Sequence, residues 1–211
     1  MAIIVFGGQK GGTGKSTLAW NIGAERAGQG RKVLMVDTDE QLTLAKWAKR
    51  RKEKKTEPRI ACVSMYGETV GEELKDQAAN YDDIVVDCHG GMTPELVSAL
   101  TVADKLIAPT RTGRADLDTF AKVNEIIPAI RAQNKKLLAL VVINMALPGQ
   151  RAGKAKDVLS HLHNFTILDN IVRARVAFED TAADGLGVTE YERRNADAVS
   201  EVLLLADEVW S

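Results

Sequence analysis

The residues best suited to chemistry lie in Gly8-Gln9-Lys10-Gly11-Gly12-Thr13-Gly14-Lys15-Ser16-Thr17, directly after the apolar run Ile3-Ile4-Val5-Phe6. A short β-branched strand, a glycine-rich loop and a helix-forming segment in that order make a phosphate-binding loop. Glycines let the backbone wrap an anion so that successive N–H groups, here from Gly11, Gly12, Thr13 and Gly14, point at phosphate oxygens. Lys15 brings a positive charge toward the β- and γ-phosphates, and the Ser16 hydroxyl is placed to ligate Mg²⁺. A helix starting near Thr17 adds its positive N-terminal dipole. The usual pattern has glycine where Gln9 stands, so the loop is a variant, with a second lysine at Lys10.

Acidic residues follow at two strand ends. Val33-Leu34-Met35-Val36 runs into Asp37-Thr38-Asp39-Glu40-Gln41, and alternating carboxylates beside a phosphate loop suit magnesium and water handling. Asp82-Asp83-Ile84-Val85-Val86-Asp87 ends an apolar strand in an aspartate, the Walker B pattern. Mg²⁺ takes oxygen ligands and keeps several waters, so one carboxylate from Asp87 suffices. Cys88 and His89 come next, but two adjacent ligands without a second pair make a poor zinc site. Gly90-Gly91 reads instead as a flexible switch that senses the γ-phosphate. Asn144, after the apolar run ending at Ile143, offers the donor-plus-acceptor edge that adenine requires; it reads equally well as a capping asparagine.

Two basic sets stand out. The segment 46–55 carries seven bases against one acid, which fits either a solvated helix face or a footprint for phosphate backbones. Arg151, Lys154 and Lys156 with Arg173 and Arg175 form the second, favoured for non-specific DNA contact.

These residues need a scaffold to bring them together. The chain has 211 residues, 45% hydrophobic and 27% charged, with a net charge of −1. That length fits one α/β domain, 1–211. The near-neutral charge argues against a dedicated nucleic-acid coat while leaving local patches open. Cys62 and Cys88 lack paired-thiol spacing, as in a reducing cytoplasm. No stretch approaches the roughly 20 apolar residues that span a bilayer, and no export signal precedes the first strand. Apolar runs at 3–6, 32–36, 60–63, 84–87, 106–108, 137–143 and 166–168 alternate with helix-period segments at 17–28, 42–55, 69–80, 94–102, 116–133, 154–161, 175–183 and 196–209. That alternation predicts a mostly parallel twisted sheet with helices on both faces, and ligands bind beyond the carboxyl ends of such strands. The last helix is amphipathic, yet no base follows Arg194, so it is expected to pack on the core and not to dock on a membrane.

Lys10-Gly11-Gly12-Thr13-Gly14-Lys15-Ser16-Thr17 resembles the deviant Walker A motif of the ParA/MinD family of ATPases, and the likeness extends over nearly the whole chain, more weakly after residue ninety. It implies a P-loop NTPase that uses ATP and Mg²⁺. Lys10 then acts across a dimer interface on the partner's nucleotide. Asp39 orients the attacking water, and Asp37 supports the metal or Lys15, although Glu40 stands where the family's second motif has proline. The segment around Ala103-Asp104 and Pro109 resembles the family's Ala-Asp…Pro stretch, and Asn144 falls at the adenine position. The late basic set lies where ParA relatives contact DNA. The resemblance implies a homodimer formed on ATP binding, slow hydrolysis stimulated by a centromere-binding adaptor, and a cytoplasmic, nucleoid-associated location. With no N-terminal helix-turn-helix extension expected, the short partition ATPases are the nearest class. Cys88-His89-Gly90-Gly91 is closer to VirC-type relatives, so a cargo-positioning ATPase is the same-class rival. A metabolic P-loop ligase or kinase is the rival from another class, and a nucleotide-gated binding module with negligible turnover is a third.

Overall fold

The computed structural model describes residues 1–147, 152–191 and 195–211. Seven strands and eight helices alternate along them: β1 (Ala2–Phe6), α1 (Lys15–Gly28), β2 (Val33–Asp37), α2 (Thr43–Glu53), β3 (Ala61–Ser64), α3 (Val70–Ala78), β4 (Asp83–Asp87), α4 (Pro94–Leu100), β5 (Lys105–Thr110), α5 (Arg114–Gln133), β6 (Leu138–Ala146), α6 (Ala152–Leu159), β7 (Thr166–Arg173), α7 (Val176–Asp184) and α8 (Ala196–Trp210). The strands form one sheet in the order β3-β2-β4-β1-β5-β6-β7. Every pairing is parallel.

The central strands are nearly continuous apolar runs because both faces of the sheet are covered. Ile3, Val5, Leu34, Val36, Ile84 and Val86 turn to one side, under α3 to α6. Ile4, Phe6, Met35, Val85, Ile107 and Val142 turn to the other, under α1, α2, α7 and α8. Trp47 of α2 is fully buried in the second layer. It stacks on Trp20 at 6.2 Å and donates its indole N–H to Leu186 O at 3.2 Å. Removing that ring would cost about 3–5 kcal/mol.

All seven expected strands form, and the differences lie at their ends. β7 runs five residues past Leu168, through Asp169 and Asn170, which locally resemble a turn. The carboxylate of Glu208 on α8 accepts the N–H of Asp169 (2.7 Å) and Asn170 (3.3 Å), so tertiary contacts hold them extended. The β6–β7 register shifts twice along this stretch. α8 itself buries Val202, Leu205 and Val209 against the sheet, as its amphipathic pattern predicts. Among the described residues no helix is long and apolar enough to cross a membrane.

Candidate nucleotide-binding site

β1 and β4 lie side by side with Phe6 opposite Asp87, and β2 flanks β4 with Asp37 opposite Asp87. The glycine loop, both acidic strand ends and the loop after Asp87 therefore converge at one carboxyl edge. Sequence separation is no obstacle once the strand order is set.

α1 begins at Lys15, inside the glycine loop. Its first helical hydrogen bond is from Leu18 N–H to Gly14 O at 3.0 Å. The N–H groups of Lys15, Ser16 and Thr17 thus lack helical acceptors, which is what an anion at a helix N-terminus requires. Gly14 has φ 87°, and a Cβ there would sit 2.3 Å from Asn144 Nδ2. Lys15 Nζ donates to Lys10 O at 2.9 Å. Burial pushes the Lys15 ammonium down from its ordinary value, with Asp87 pulling the other way. A phosphate would relieve that cost.

Asp87 is the electrostatic centre. It is buried, and neither carboxylate oxygen has a hydrogen-bond partner among the described residues. Burial pushes its carboxyl up to about 7, opposed by the Ser16 hydroxyl and Lys15 beside it. A buried carboxylate without partners next to a hydroxyl and a phosphate loop suits a hydrated hard cation. Asp37 differs. Its Oδ1 accepts Asp39 N–H at 3.0 Å and its Oδ2 accepts Ala45 N–H at 2.8 Å, so it holds the turn into α2. Its carboxyl is raised, burial being the main cause. Of the two carboxylates expected at the metal, Asp87 is the one with unengaged oxygens.

Asp39 lies at the mouth. Its Oδ1 accepts Gln41 N–H at 2.9 Å, and its Oδ2 lies 3.1 Å from His89 Nδ1. His89 belongs to the loop after β4, which is pinned to the phosphate loop: Gly91 N–H donates to Gly8 O and Cys88 N–H to Phe6 O, both at 3.0 Å. A Cβ on Gly90 would lie 2.8 Å from Gly11 N, so only glycine permits this approach. Cys88 is buried and burial pushes its thiol up to about 12, which keeps it a packing residue.

Lys10 Nζ sits 2.6 Å from Asp116 Oδ1 in the first turn of α5, so only Lys15 occupies the loop's own interior. The Arg111 guanidinium donates to Gly12 O and reaches Met145 Sδ at 3.5 Å. Arg111 and Asp116 carry no motif, and sequence reading missed both. Asn144 donates from Nδ2 to Thr13 O at 2.8 Å. It braces the loop from β6. A pocket of about 360 Å³ opens beside it, lined by Gly14, Thr17, Asn144, Met145, Arg175 and Phe178. Pro109 is buried within β5, paired with Val142.

The two basic sets divide on inspection. Arg173 and Arg175 each meet Glu201 Oε1 at 2.8 Å, and Arg175 also pairs with Asp197 at 3.0 Å. Burial alone would raise the Glu201 carboxyl, but Arg175 and Arg173 hold it below the usual range. These arginines tie the end of β7 and the start of α7 to α8. Lys156 donates to Asp169 O at 3.0 Å, Lys154 is exposed with no ion pair among the described residues, and Arg151 lies outside them. In the segment 46–55, Arg51 is buried and makes a two-bond pair with Glu190, both at 2.8 Å. Lys54 pairs with Asp184, and Arg50 donates to Ala182 O.

Fold and loop together define a P-loop nucleotide-binding protein with the ParA/MinD ATPase fold. The chain belongs to the CobQ/CobB/MinD/ParA nucleotide binding domain family, whose profile matches residues 4–188. It is 27% identical over 201 residues to the maintenance of carboxysome distribution protein A of Halothiobacillus neapolitanus, covering 95% of this chain and 92% of the relative. It is also 27% identical over 164 residues to the ParA protein of Rhizobium radiobacter, covering 77% and 72%. The Mg-ADP complex of the septum site-determining protein MinD from Pyrococcus horikoshii superposes with a TM-score of 0.76 at 20% identity, covering 99% of this chain and 95% of that one.

Proposed function

We propose that this protein is an ATP-switched partition or cargo-positioning ATPase that dimerises on ATP, binds DNA non-specifically and hydrolyses ATP slowly under the control of an adaptor protein. The observation that carries this reading is the division of labour between two lysines. Lys15 occupies the cradle and is buried at a cost that phosphate would offset, while Lys10 stands outside it on Asp116 with its side chain 45% exposed. A cation at the rim of the site is available to a second subunit's phosphates.

In this reading Gly11, Gly12, Thr13, Gly14, Ser16 and Thr17 hold the phosphates, and the base enters the pocket beside Asn144. Ser16 and Asp87 hold Mg²⁺, which when bound neutralises charge developing on the β- and γ-phosphates. Asp39 orients the attacking water, with its own direction set by Gln41 N–H and His89. Catalysis then rests on positioning and charge neutralisation, with no covalent intermediate. The names of the relatives, carboxysome distribution and chromosome partitioning among them, leave the cargo class open.

The deciding experiment is ATPase activity measured with and without DNA, on wild type and Lys15→Ala. Turnover that is slow and stimulated by DNA or adaptor, and abolished with nucleotide binding in Lys15→Ala, supports the proposal. Nucleotide binding by folded Lys15→Ala would remove the phosphate-loop assignment, and γ-phosphate transfer to a small acceptor would favour the metabolic rival.

A further inference from the structure

A second concave site lies at the other end of the sheet. Between the last turns of α2 and the start of β3 is a groove of about 860 Å³. Lys32 immediately precedes β2 and Val33 opens it, Ile60 immediately precedes β3 and Tyr81 precedes β4. All four line the groove, so it sits at the amino ends of the strands, opposite the phosphate loop. Its volume is in the range of ligand clefts.

Its chemistry is lopsided. Exposed Lys32, Lys49, Lys52, Lys55 and Arg59 line it together with buried Arg51, and no carboxylate lines it. Lys49 and Arg59 make loose, exposed pairs with Glu53 (3.8 Å) and Glu57 (3.3 Å), contacts worth little in water. Lys52 and Lys55 have no ion pair among the described residues. The walls between these cations are apolar: Val33, Ala45, Ala48, Ile60, Ala61 and Cys62. Burial pushes the Cys62 thiol up to about 12, so it is one more apolar surface. Alongside runs β3, the edge of the sheet, paired among the described residues with β2 alone and with Val63 41% exposed. An edge strand presents unpaired backbone groups to an incoming strand.

We propose that this groove docks an acidic segment of a partner protein, one that sets apolar side chains between its carboxylates and lies along β3. A nucleic-acid backbone answers the charges but brings nothing apolar for the floor. A single aromatic ring, Tyr81, lines the groove, and Lys32 Nζ already lies over it at 5.0 Å, so the groove offers no row of rings on which successive bases could stack. The position gives the site its use. Dimerisation through the nucleotide edge would leave both grooves facing outward, free to carry cargo. The groove stands on its own geometry and does not depend on the ATPase reading.

The test uses the full chain without nucleotide and fluorescence anisotropy of a short labelled peptide of alternating glutamate and valine. Wild type should bind it, the double variant Lys52→Glu/Lys55→Glu should bind roughly tenfold or more weakly, and a glutamate–serine peptide of equal charge should bind more weakly to wild type. Both substitutions are at exposed positions, and a thermal unfolding midpoint equal to that of wild type confirms that the double variant is folded. Failure of wild type to bind, equal binding by the double variant, or equal binding of the serine peptide would overturn the proposal. Loss of duplex DNA binding in the double variant with peptide binding intact would assign the groove to nucleic acid and overturn it as well. Failure of ATP binding by wild type would bear on the nucleotide site and leave this result independent.

Discussion

His89 Nδ1 lies 3.1 Å from Asp39 Oδ2, joining residues fifty positions apart across the β2–β4 pair. The other oxygen of Asp39 accepts Gln41 N–H at 2.9 Å, so the carboxylate is held from two directions. One hold comes from its own loop, the other from the loop that touches the phosphate loop. His89→Ala leaves Asp39 half-anchored. If Asp39 orients the attacking water as proposed, the variant's kcat should fall between about 10- and 100-fold with ATP affinity unchanged, because misplacing such a group acts on the transition state. Steady-state kinetics beside nucleotide titration check this, and an unchanged kcat would make the contact incidental.

Gly90 tests how closely the two loops must approach. In Gly90→Ala the new methyl meets Gly11 N at 2.8 Å, and the neighbour is backbone that cannot swing aside. Overpacking of this kind costs about 1–3 kcal/mol. Thermal unfolding should report that loss, and ATP affinity should fall with it because the strained element is the phosphate loop itself.

Asp87 makes stability pH-dependent. Unfolded, its carboxyl gives up its proton near 3.8; folded, near 7. Between those values the native state keeps a proton that the unfolded chain has lost, so this group's contribution falls as pH rises from about 4 to 7. The cost reaches a few kcal/mol at the upper end. Nucleotide-free Tm should therefore decline across that window, and Asp87→Asn should flatten the decline. A variant with the wild-type slope would assign it to another group.

Lys10→Ala should bind ATP but stay monomeric with a non-hydrolysable analogue. The ammonium sits 2.6 Å from Asp116 and makes no contact with its own cradle that the substitution would remove. Light scattering distinguishes the outcomes: dimerisation equal to wild type would leave Lys10 with no task beyond its pair with Asp116.

Arg175 and Lys154 should part company. Arg175→Ala strips Glu201, 6% exposed, of one of its two guanidinium partners, and should cost about 1–3 kcal/mol of stability. Lys154→Glu should leave Tm unchanged and weaken binding alike on unrelated DNA sequences, with a flatter salt dependence. If Arg175→Ala weakens DNA binding without lowering Tm, the arginine belongs to the interface after all.

Several features were legible in the residues themselves because they depend on near neighbours. The strand, the glycine-rich loop and the helix after it follow from local backbone preference; the sequence places the helix start near Thr17, and the structure starts it at Lys15 with Gly14 left-handed. The alternation of apolar runs and helix periods likewise carries the parallel sheet, since a strand buried on both faces must be apolar throughout. Other features depended on strand order, which no local signal encodes. Whether Asp39 meets His89, whether Arg51 faces solvent or Glu190, and whether Arg173 and Arg175 offer charge or neutralise Glu201 all turn on which distant segment lies alongside. A run of bases has the same sequence whether its members are solvated or buried in pairs. Desolvation separates the two cases, and desolvation is set only when the helices close over the sheet.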